Sequence, residues 1–123
     1  MKVLLCLLGL LGLVAVYGQE QGLRNGNFDI YFEPTAFLQS GTEIPFRISV
    51  NDALHKPVVD ARVTLQIEMP GHLDTKVYKA TMVENGIYIA KPFFPVKGRW
   101  NVYVEVHRGD AMTARTIEYY VQK

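Results

Sequence analysis

Apolar residues recur at every second position over most of this chain, and this alternation constrains the fold more than any other feature. A period of two is typical of a β-strand with one buried face. The clearest runs are Phe46, Ile48 and Val50; Val63, Leu65, Ile67 and Met69; and Trp100, Val102, Val104 and Val106. Shorter runs are Phe28, Ile30 and Phe32; Tyr78, Ala80 and Met82; Ile87 and Ile89; and Ile117, Tyr119 and Val121. Together they predict about seven strands.

Turn-forming residues separate these runs. Asn85-Gly86, Lys97-Gly98 and Arg108-Gly109-Asp110 favour tight turns, and Asp52 to Pro57 is typical of a longer loop. No window beyond the N-terminal segment has sustained helical periodicity. Short strands at this spacing predict an all-β fold, a single immunoglobulin-like antiparallel β-sandwich over residues 27–123. Trp100 begins an alternating face with three valines, so we expect it to be the central aromatic residue of the core.

The N-terminus has the pattern of a secretory signal peptide. Lys2 precedes an uncharged, mainly apolar run from Val3 to Tyr17, which is shorter than a membrane-spanning helix requires. We therefore expect residues 1–18 to be cleaved after Gly18 and residues 19–26 to form a flexible mature N-terminus. The expected location is secreted or extracytoplasmic, in the periplasm or at the cell surface. A retained segment would instead tether the domain to a membrane.

Composition and motifs argue against several classes of function. The chain has 13 basic and 12 acidic residues, dispersed without runs, which does not favour nucleic acid as a partner. Its single cysteine, Cys6, lies in the N-terminal run, so the predicted mature chain can form neither a disulfide nor a thiolate metal site. No catalytic motif is present in the sequence, and the three histidines are scattered. We expect no enzymatic activity and no small-molecule substrate.

The segment Met69-Pro70-Gly71-His72 carries the most distinctive chemistry. Thioether and imidazole groups suit copper, particularly where no thiolate competes. Met69 and His72 are therefore candidate metal ligands. Alternatively, Met69 completes a buried strand face and His72 lies on an exposed turn. Elsewhere, we expect Met82 to pack in the core, and His107 and Met112 could face each other across two paired strands and supply a separate two-ligand patch.

The stretch from Asn51 to Arg108 resembles the YtkA-like and FixH-like domain of bacterial envelope proteins. The resemblance rests on the order of four segments: Lys56-Pro57-Val58 with Asp60-Ala61-Arg62-Val63; Glu68-Met69-Pro70-Gly71-His72; Asn85-Gly86-Ile87-Tyr88; and Phe94-Pro95-Val96-Lys97-Gly98-Arg99-Trp100. It implies an extracytoplasmic immunoglobulin-like domain, linked in some relatives to copper handling or to assembly of a haem-copper oxidase. From the implied ligand set, only Met69 and His72 carry over.

Two further segments are candidate partner-binding sites. Phe93 and Phe94 are adjacent, so only one of them can point inward from a regular strand, and the other can anchor a protein partner. Arg108-Gly109-Asp110 is the tripeptide that integrins recognise, although Gly-Asp also suits any hairpin turn. The sequence thus predicts a non-enzymatic accessory domain whose partner is a copper ion or an envelope protein. The alternative is a protein-binding or adhesive module without metal.

Overall fold

The computed structural model describes residues 24–25, 27–72 and 74–123. The predicted signal peptide, its cleavage site and Cys6 lie outside the described residues. No helix with the length and apolar character needed to cross a bilayer occurs in the described ranges. Nine strands occur there: β1 (Arg24–Asn25), β2 (Asp29–Pro34), β3 (Phe46–Asn51), β4 (Arg62–Glu68), β5 (Thr75–Lys79), β6 (Thr81–Glu84), β7 (Ile87–Ala90), β8 (Gly98–Arg108) and β9 (Ala111–Val121).

The strands form two sheets, which confirms the predicted β-sandwich. One sheet has the order β1-β9-β8-β4-β5 and the other the order β2-β3-β7-β6. All neighbours pair antiparallel except the two-residue β1, which runs parallel to β9. β1 lies within the segment that we expected to be flexible. It places Arg24 and Asn25 beside Ala111 and Met112.

The core lies between the two sheets and is built from the alternating faces of the longest runs. Phe46, Ile48 and Val50 are fully buried, as are Leu65 and Val102 to Val106 at every second position. Trp100 is 5% exposed and packs edge-on against Phe94 with ring centroids 5.4 Å apart, which confirms it as a core aromatic residue. Its indole nitrogen donates a hydrogen bond to the carbonyl of Val96 at 3.0 Å.

The predicted turns join paired strands. Asn85 and Gly86 connect β6 to β7, and Gly109 and Asp110 connect β8 to β9. Gly86 has a φ of 77°, and an added Cβ there would lie 2.6 Å from the Cβ of Pro57, so only glycine fits this turn without displacement. The loop from Asp52 to Pro57 is held by its first residue, whose carboxylate accepts hydrogen bonds from the backbone nitrogens of Leu54 and Lys56.

The run from Tyr78 to Met82 is not one strand, which corrects the sequence interpretation. β5 ends at Lys79 in the five-stranded sheet, and β6 begins at Thr81 in the four-stranded sheet. The chain changes sheets at Ala80, which is buried and donates a backbone hydrogen bond to Val63 at 2.9 Å. Met82 lies on the last strand of its sheet and is 40% exposed, so the prediction that it packs in the core is wrong.

The buried face of β7 is also the opposite of the one predicted. Tyr88 and Ala90 point into the core, while Ile87 and Ile89 are only half-buried. The phenol of Tyr88 accounts for this choice, because it donates a 2.8 Å hydrogen bond to the carbonyl of Val58 inside the core. A buried tyrosine is favourable once its hydroxyl has a partner.

Candidate functional site

The Met69–His72 segment forms a tight turn at the start of the loop between β4 and β5. The backbone nitrogen of His72 donates to the carbonyl of Met69 at 3.0 Å, and Gly71 has a φ of 87°. Proline at the second position and a left-handed glycine at the third are the requirements of a type II turn. Turn geometry therefore explains Pro70 and Gly71 without reference to a ligand.

The two candidate metal ligands stand in different surroundings. Met69 is half-buried against the core, and its methyl group lies over Gly98, where an added Cβ would approach it to 2.8 Å. His72 is exposed on the turn. No group of three or more His, Cys, Asp or Glu side chains that could hold a metal ion occurs among the described residues. The turn thus places one packed thioether and one free imidazole at its two ends.

Phe93 and Phe94 have opposite roles. Phe94 is fully buried and lies between Phe46 and Trp100, with centroid distances of 6.3 and 5.4 Å. It belongs to the core, so its inclusion among the candidate partner-binding residues is wrong. Phe93 is 44% exposed, and its backbone nitrogen donates to the hydroxyl of Tyr78 at 3.2 Å. As expected, one ring of the pair points inward and the other is exposed.

Phe93 borders a cleft of about 250 Å³ between β5 and the segment that precedes β8. Tyr78, Pro95 and Trp100 contribute apolar walls, while Asp74 and Lys76 contribute charge. Asp74 follows His72 by two residues. Phe93 therefore lies close to β5, the strand that follows the Met69–His72 turn.

A second, wider groove of about 670 Å³ lies on the same side of the sandwich. It is lined by Tyr78, Lys79, Thr81, Val83, Ile89 and Lys91. β5 and β6 are the last strands of their sheets, and their exposed residues include Val77, Met82 and Val83. We call this surface, formed by β5, β6 and Phe93, the open side. Its backbone edges and apolar side chains face solvent together.

The opposite side of the sandwich, formed by β2 and β9, is closed by side chains that join the two sheets. The guanidinium of Arg115 donates to the carbonyl of Ile30 at 2.7 Å and lies 5.9 Å from the ring centre of Phe32. The hydroxyl of Tyr119 donates to the carbonyl of Phe32 at 3.3 Å. We call this surface the closed side. Carbonyl groups of the outermost strand β2 are satisfied there from within the domain.

Arg108 and Asp110 lie at the β8–β9 hairpin, as predicted. The guanidinium of Arg108 lies 5.2 Å from the ring centre of Phe28 and 3.4 Å from a carboxylate oxygen of Asp60. Asp110 is exposed. Arg108 thus makes contacts within the domain while its side chain stays 39% exposed.

A hydrogen-bonded row runs along the outer face of β8. The hydroxyl of Tyr103 donates to Glu105 at 2.8 Å, and Nε2 of His107 lies 2.9 Å from the other oxygen of the same carboxylate. Burial and the hydrogen bond to Glu105 raise the pKa of Tyr103 to about 12. Burial alone would raise the pKa of Glu105, but its bonds with His107 and Tyr103 hold that pKa below its usual value. Met112 is the direct partner of His107 on β9, as predicted.

The sequence interpretation missed Val77, Val83, Lys79 and Lys91 on the open side. Val77, Lys79 and Val83 lie on short strands and Lys91 directly follows one, and their exposure depends on which strand ends each sheet. Strand order is a long-range property, so alternation within a segment does not determine it. The exposed β6, in which all four residues face solvent, was the part least accessible to sequence reasoning.

Comparison with known proteins assigns this chain to a family. Residues 20–105 match the sequence model of the family described as YtkA-like. A solved structure of a DUF4426 family protein from Pseudomonas aeruginosa is similar at 19% identity, with a TM-score of 0.49. The alignment covers 84% of this chain and 97% of that one. No curated protein matches this chain significantly.

Proposed function

Because this chain belongs to the YtkA-like family, we propose that it is an exported, non-enzymatic accessory domain that binds a protein partner along its open side. The observation that carries the proposal is the contrast between the two sides of the sandwich. On the closed side, Arg115 and Tyr119 donate hydrogen bonds to two carbonyl groups of β2, those of Ile30 and Phe32. On the open side, Val77 and Val83 are 62% and 59% exposed beside two terminal strands.

Exposed edge strands with apolar side chains are a hazard to an isolated protein, because they promote pairing with other chains. Exposed aliphatic side chains beside two neighbouring edges, as at Val77 and Val83, are typical of an interaction surface. An extended segment of another protein can add to such an edge, with its backbone supplying hydrogen bonds and its side chains filling the adjoining grooves. The 250 Å³ and 670 Å³ clefts flank the edges at suitable positions.

The charges of the wider groove favour an acidic partner. Lys79 and Lys91 contribute to its lining, and none of the residues that line it is acidic. A segment with carboxylates between apolar residues would pair with these ammonium groups while its apolar residues contact Val83 and Ile89. Electrostatic complementarity of this kind mainly sets specificity and the rate of association.

A peptide titration tests this proposal. The ¹⁵N-labelled domain from Gln19 onward is titrated with a nine-residue peptide in which valine alternates with glutamate, and with its lysine counterpart. We expect amide shifts confined to β5, β6 and the Phe93 segment with the acidic peptide. The double variant Val77→Asp and Val83→Asp should abolish them. Val59→Asp is a matched control, since Val59 is 48% exposed and lies outside β5, β6 and the Phe93 segment. Equal binding of both peptides, or no binding, contradicts the proposal.

The export part of the proposal rests on the uncharged run before Gly18 and on the polar residues after it. N-terminal sequencing of the protein recovered from outside the cytoplasm should give a start at Gln19, within two residues. A start at Met1 would show that the segment is retained, and the domain would then act at the membrane surface.

Copper handling at Met69 and His72 is a second proposed function. It is supported by the turn that holds the two residues three positions apart, with a 3.0 Å hydrogen bond between their backbones. Cu(I) and Cu(II) titrations against a competing chelator test it, with the Met69→Leu and His72→Ala double variant as control. Stoichiometric binding at sub-micromolar affinity that the variant loses supports this function. Equal binding by both proteins contradicts it.

A further inference from the structure

The second cross-strand pair from the β8–β9 turn joins an imidazole and a thioether. Arg108 and Ala111 flank the two-residue loop, and His107 and Met112 are the next pair. In an antiparallel hairpin closed by two residues, the pair beyond the closing one makes no backbone hydrogen bonds, and its side chains approach most closely. Val106, the inward neighbour of His107, is fully buried, so His107 points to the outer face.

His107 is oriented by a carboxylate. Its Nε2 lies 2.9 Å from Glu105 Oε1, and the other oxygen of Glu105 accepts a hydrogen bond from Tyr103 at 2.8 Å. An ionised carboxylate can only accept hydrogen bonds, so Nε2 carries the proton. In the neutral ring, Nδ1 then holds the free lone pair. A histidine whose second nitrogen is fixed by a carboxylate is the arrangement commonly found behind metal-binding imidazoles.

The groups left free at the His107–Met112 pair determine which type of cation it can bind. Arg62 faces His107 across β4 and β8. The two carboxylate oxygens of Glu105 are occupied by Tyr103 and His107. The groups that remain are soft: Nδ1 of His107 and the thioether of Met112. Hard divalent cations such as Ca²⁺ and Mg²⁺ require several oxygen ligands, whereas thioether and imidazole suit soft ions.

We propose that His107 Nδ1 and the sulfur of Met112 form a binding site for a soft monovalent cation, Cu(I) or Ag(I), on the outer face of the five-stranded sheet. Glu105 is a positioning residue that keeps the imidazole in the required tautomer. The site is independent of the open side and of the Met69–His72 turn, since it depends on pairing between β8 and β9.

Silver titration followed by NMR tests this site with a redox-inert probe. In the full mature chain labelled at the methionine methyl carbons and histidine nitrogens, one equivalent of Ag(I) should shift the Met112 methyl signal and the His107 Nδ1 signal. Met112→Leu and His107→Gln should each remove the shift of the other residue. The Met69→Leu and His72→Ala double variant should retain both shifts, which separates this site from the turn.

The positioning role of Glu105 has its own readout. Glu105→Gln should leave the backbone spectrum nearly unchanged and weaken Ag(I) binding by about 10- to 100-fold, as loss of a carboxylate behind a ligating histidine does. It should also increase the fraction of the His107 ring with the proton on Nδ1. Unchanged Ag(I) affinity in Met112→Leu, shifts at Met69 alone, or equal displacement of Ag(I) by Ca²⁺ would each overturn the proposal.

Discussion

The edge strands on the two sides of this sandwich differ in how far side chains of the domain cover them. Each sheet ends in a strand whose outer backbone groups lack a neighbouring strand, and such edges invite pairing with other chains. On the closed side, Arg115 and Tyr119 extend from one sheet to the backbone of the other. On the open side, Val77, Val83 and Phe93 remain exposed. Two side chains are thus enough to cover part of the β2 edge. The exposure of β5 and β6 therefore follows from the residues at those edges and is not required by the fold.

The largest expected effect is a difference in stability between variants of two adjacent residues, Phe94 in the core and Phe93 on the open side. Phe94→Ala should lower the free energy of unfolding by about 3–5 kcal/mol, because it removes a fully buried ring. Phe93→Ala should cost about 1 kcal/mol or less, since that ring is 44% exposed. Urea unfolding of both variants measures the difference. Similar losses would mean that Phe93 supports the fold and is not a free surface.

The next effect is a difference in stability between alanine variants of the two turns next to the open side, β4–β5 and β6–β7. Gly71 and Gly86 both have positive φ, so alanine costs about 1–2 kcal/mol at either position. At Gly86 the added methyl group also meets Pro57 at 2.6 Å, while at Gly71 it meets open space. We expect Gly86→Ala to cost about 1–3 kcal/mol more than Gly71→Ala, from overpacking. Thermal unfolding of the pair tests this, and equal losses would contradict the close packing of the β6–β7 turn.

A smaller loss of stability is expected when the Arg115 side chain is removed from the closed side. Arg115→Ala leaves the carbonyl of Ile30 without its 2.7 Å donor, which should lower the free energy of unfolding by about 1–2 kcal/mol. Amide hydrogen exchange should accelerate in β2 and stay unchanged in β6. Arg115→Lys is the matched control and should lose less, because it keeps a donor and the charge. Uniform acceleration in both sheets would show that Arg115 has no local role at this edge.

The smallest effect is a pH dependence on the outer face of β8. Glu105 has a folded-state pKa below its usual value of 4.5, so its contribution to stability is present above pH 4.5 and is lost as the pH falls through the folded pKa. Glu105→Gln should therefore weaken the decline in stability below that pH. Chemical denaturation at a series of pH values compares the two proteins. Parallel curves would contradict a stabilising role for the hydrogen bonds to this carboxylate.

The sequence determined the long strands because their two faces differ strongly in polarity. Val63, Leu65 and Ile67 alternate with polar residues, and all three are buried as predicted. β7 gave no such contrast, since Ile87, Tyr88, Ile89 and Ala90 are all apolar or aromatic. Its face was decided by the hydrogen bond between Tyr88 and Val58, thirty residues away. Long-range pairing of this kind has no local signal.

The candidate sites follow the same rule. The opposition of His107 and Met112 was predictable, because a two-residue turn fixes the register of its hairpin. The role of Glu105 required the side-chain geometry of the folded strand. Phe93 was predictable as one of two adjacent rings, but only packing against Phe46 and Trp100 shows that Phe94 is the inner one.

The change of sheet at Ala80 limits where the chain can accept an inserted residue. One residue added between β5 and β6 would reverse the alternation of everything up to Ala90, turning Tyr88 toward solvent and Ile89 toward the core. The register shift between Met82 and Glu84 is the nearest place where an extra residue could be absorbed. Insertions are therefore expected to be tolerated between Met82 and Glu84 and rejected at Ala80, although the two places are only two residues apart.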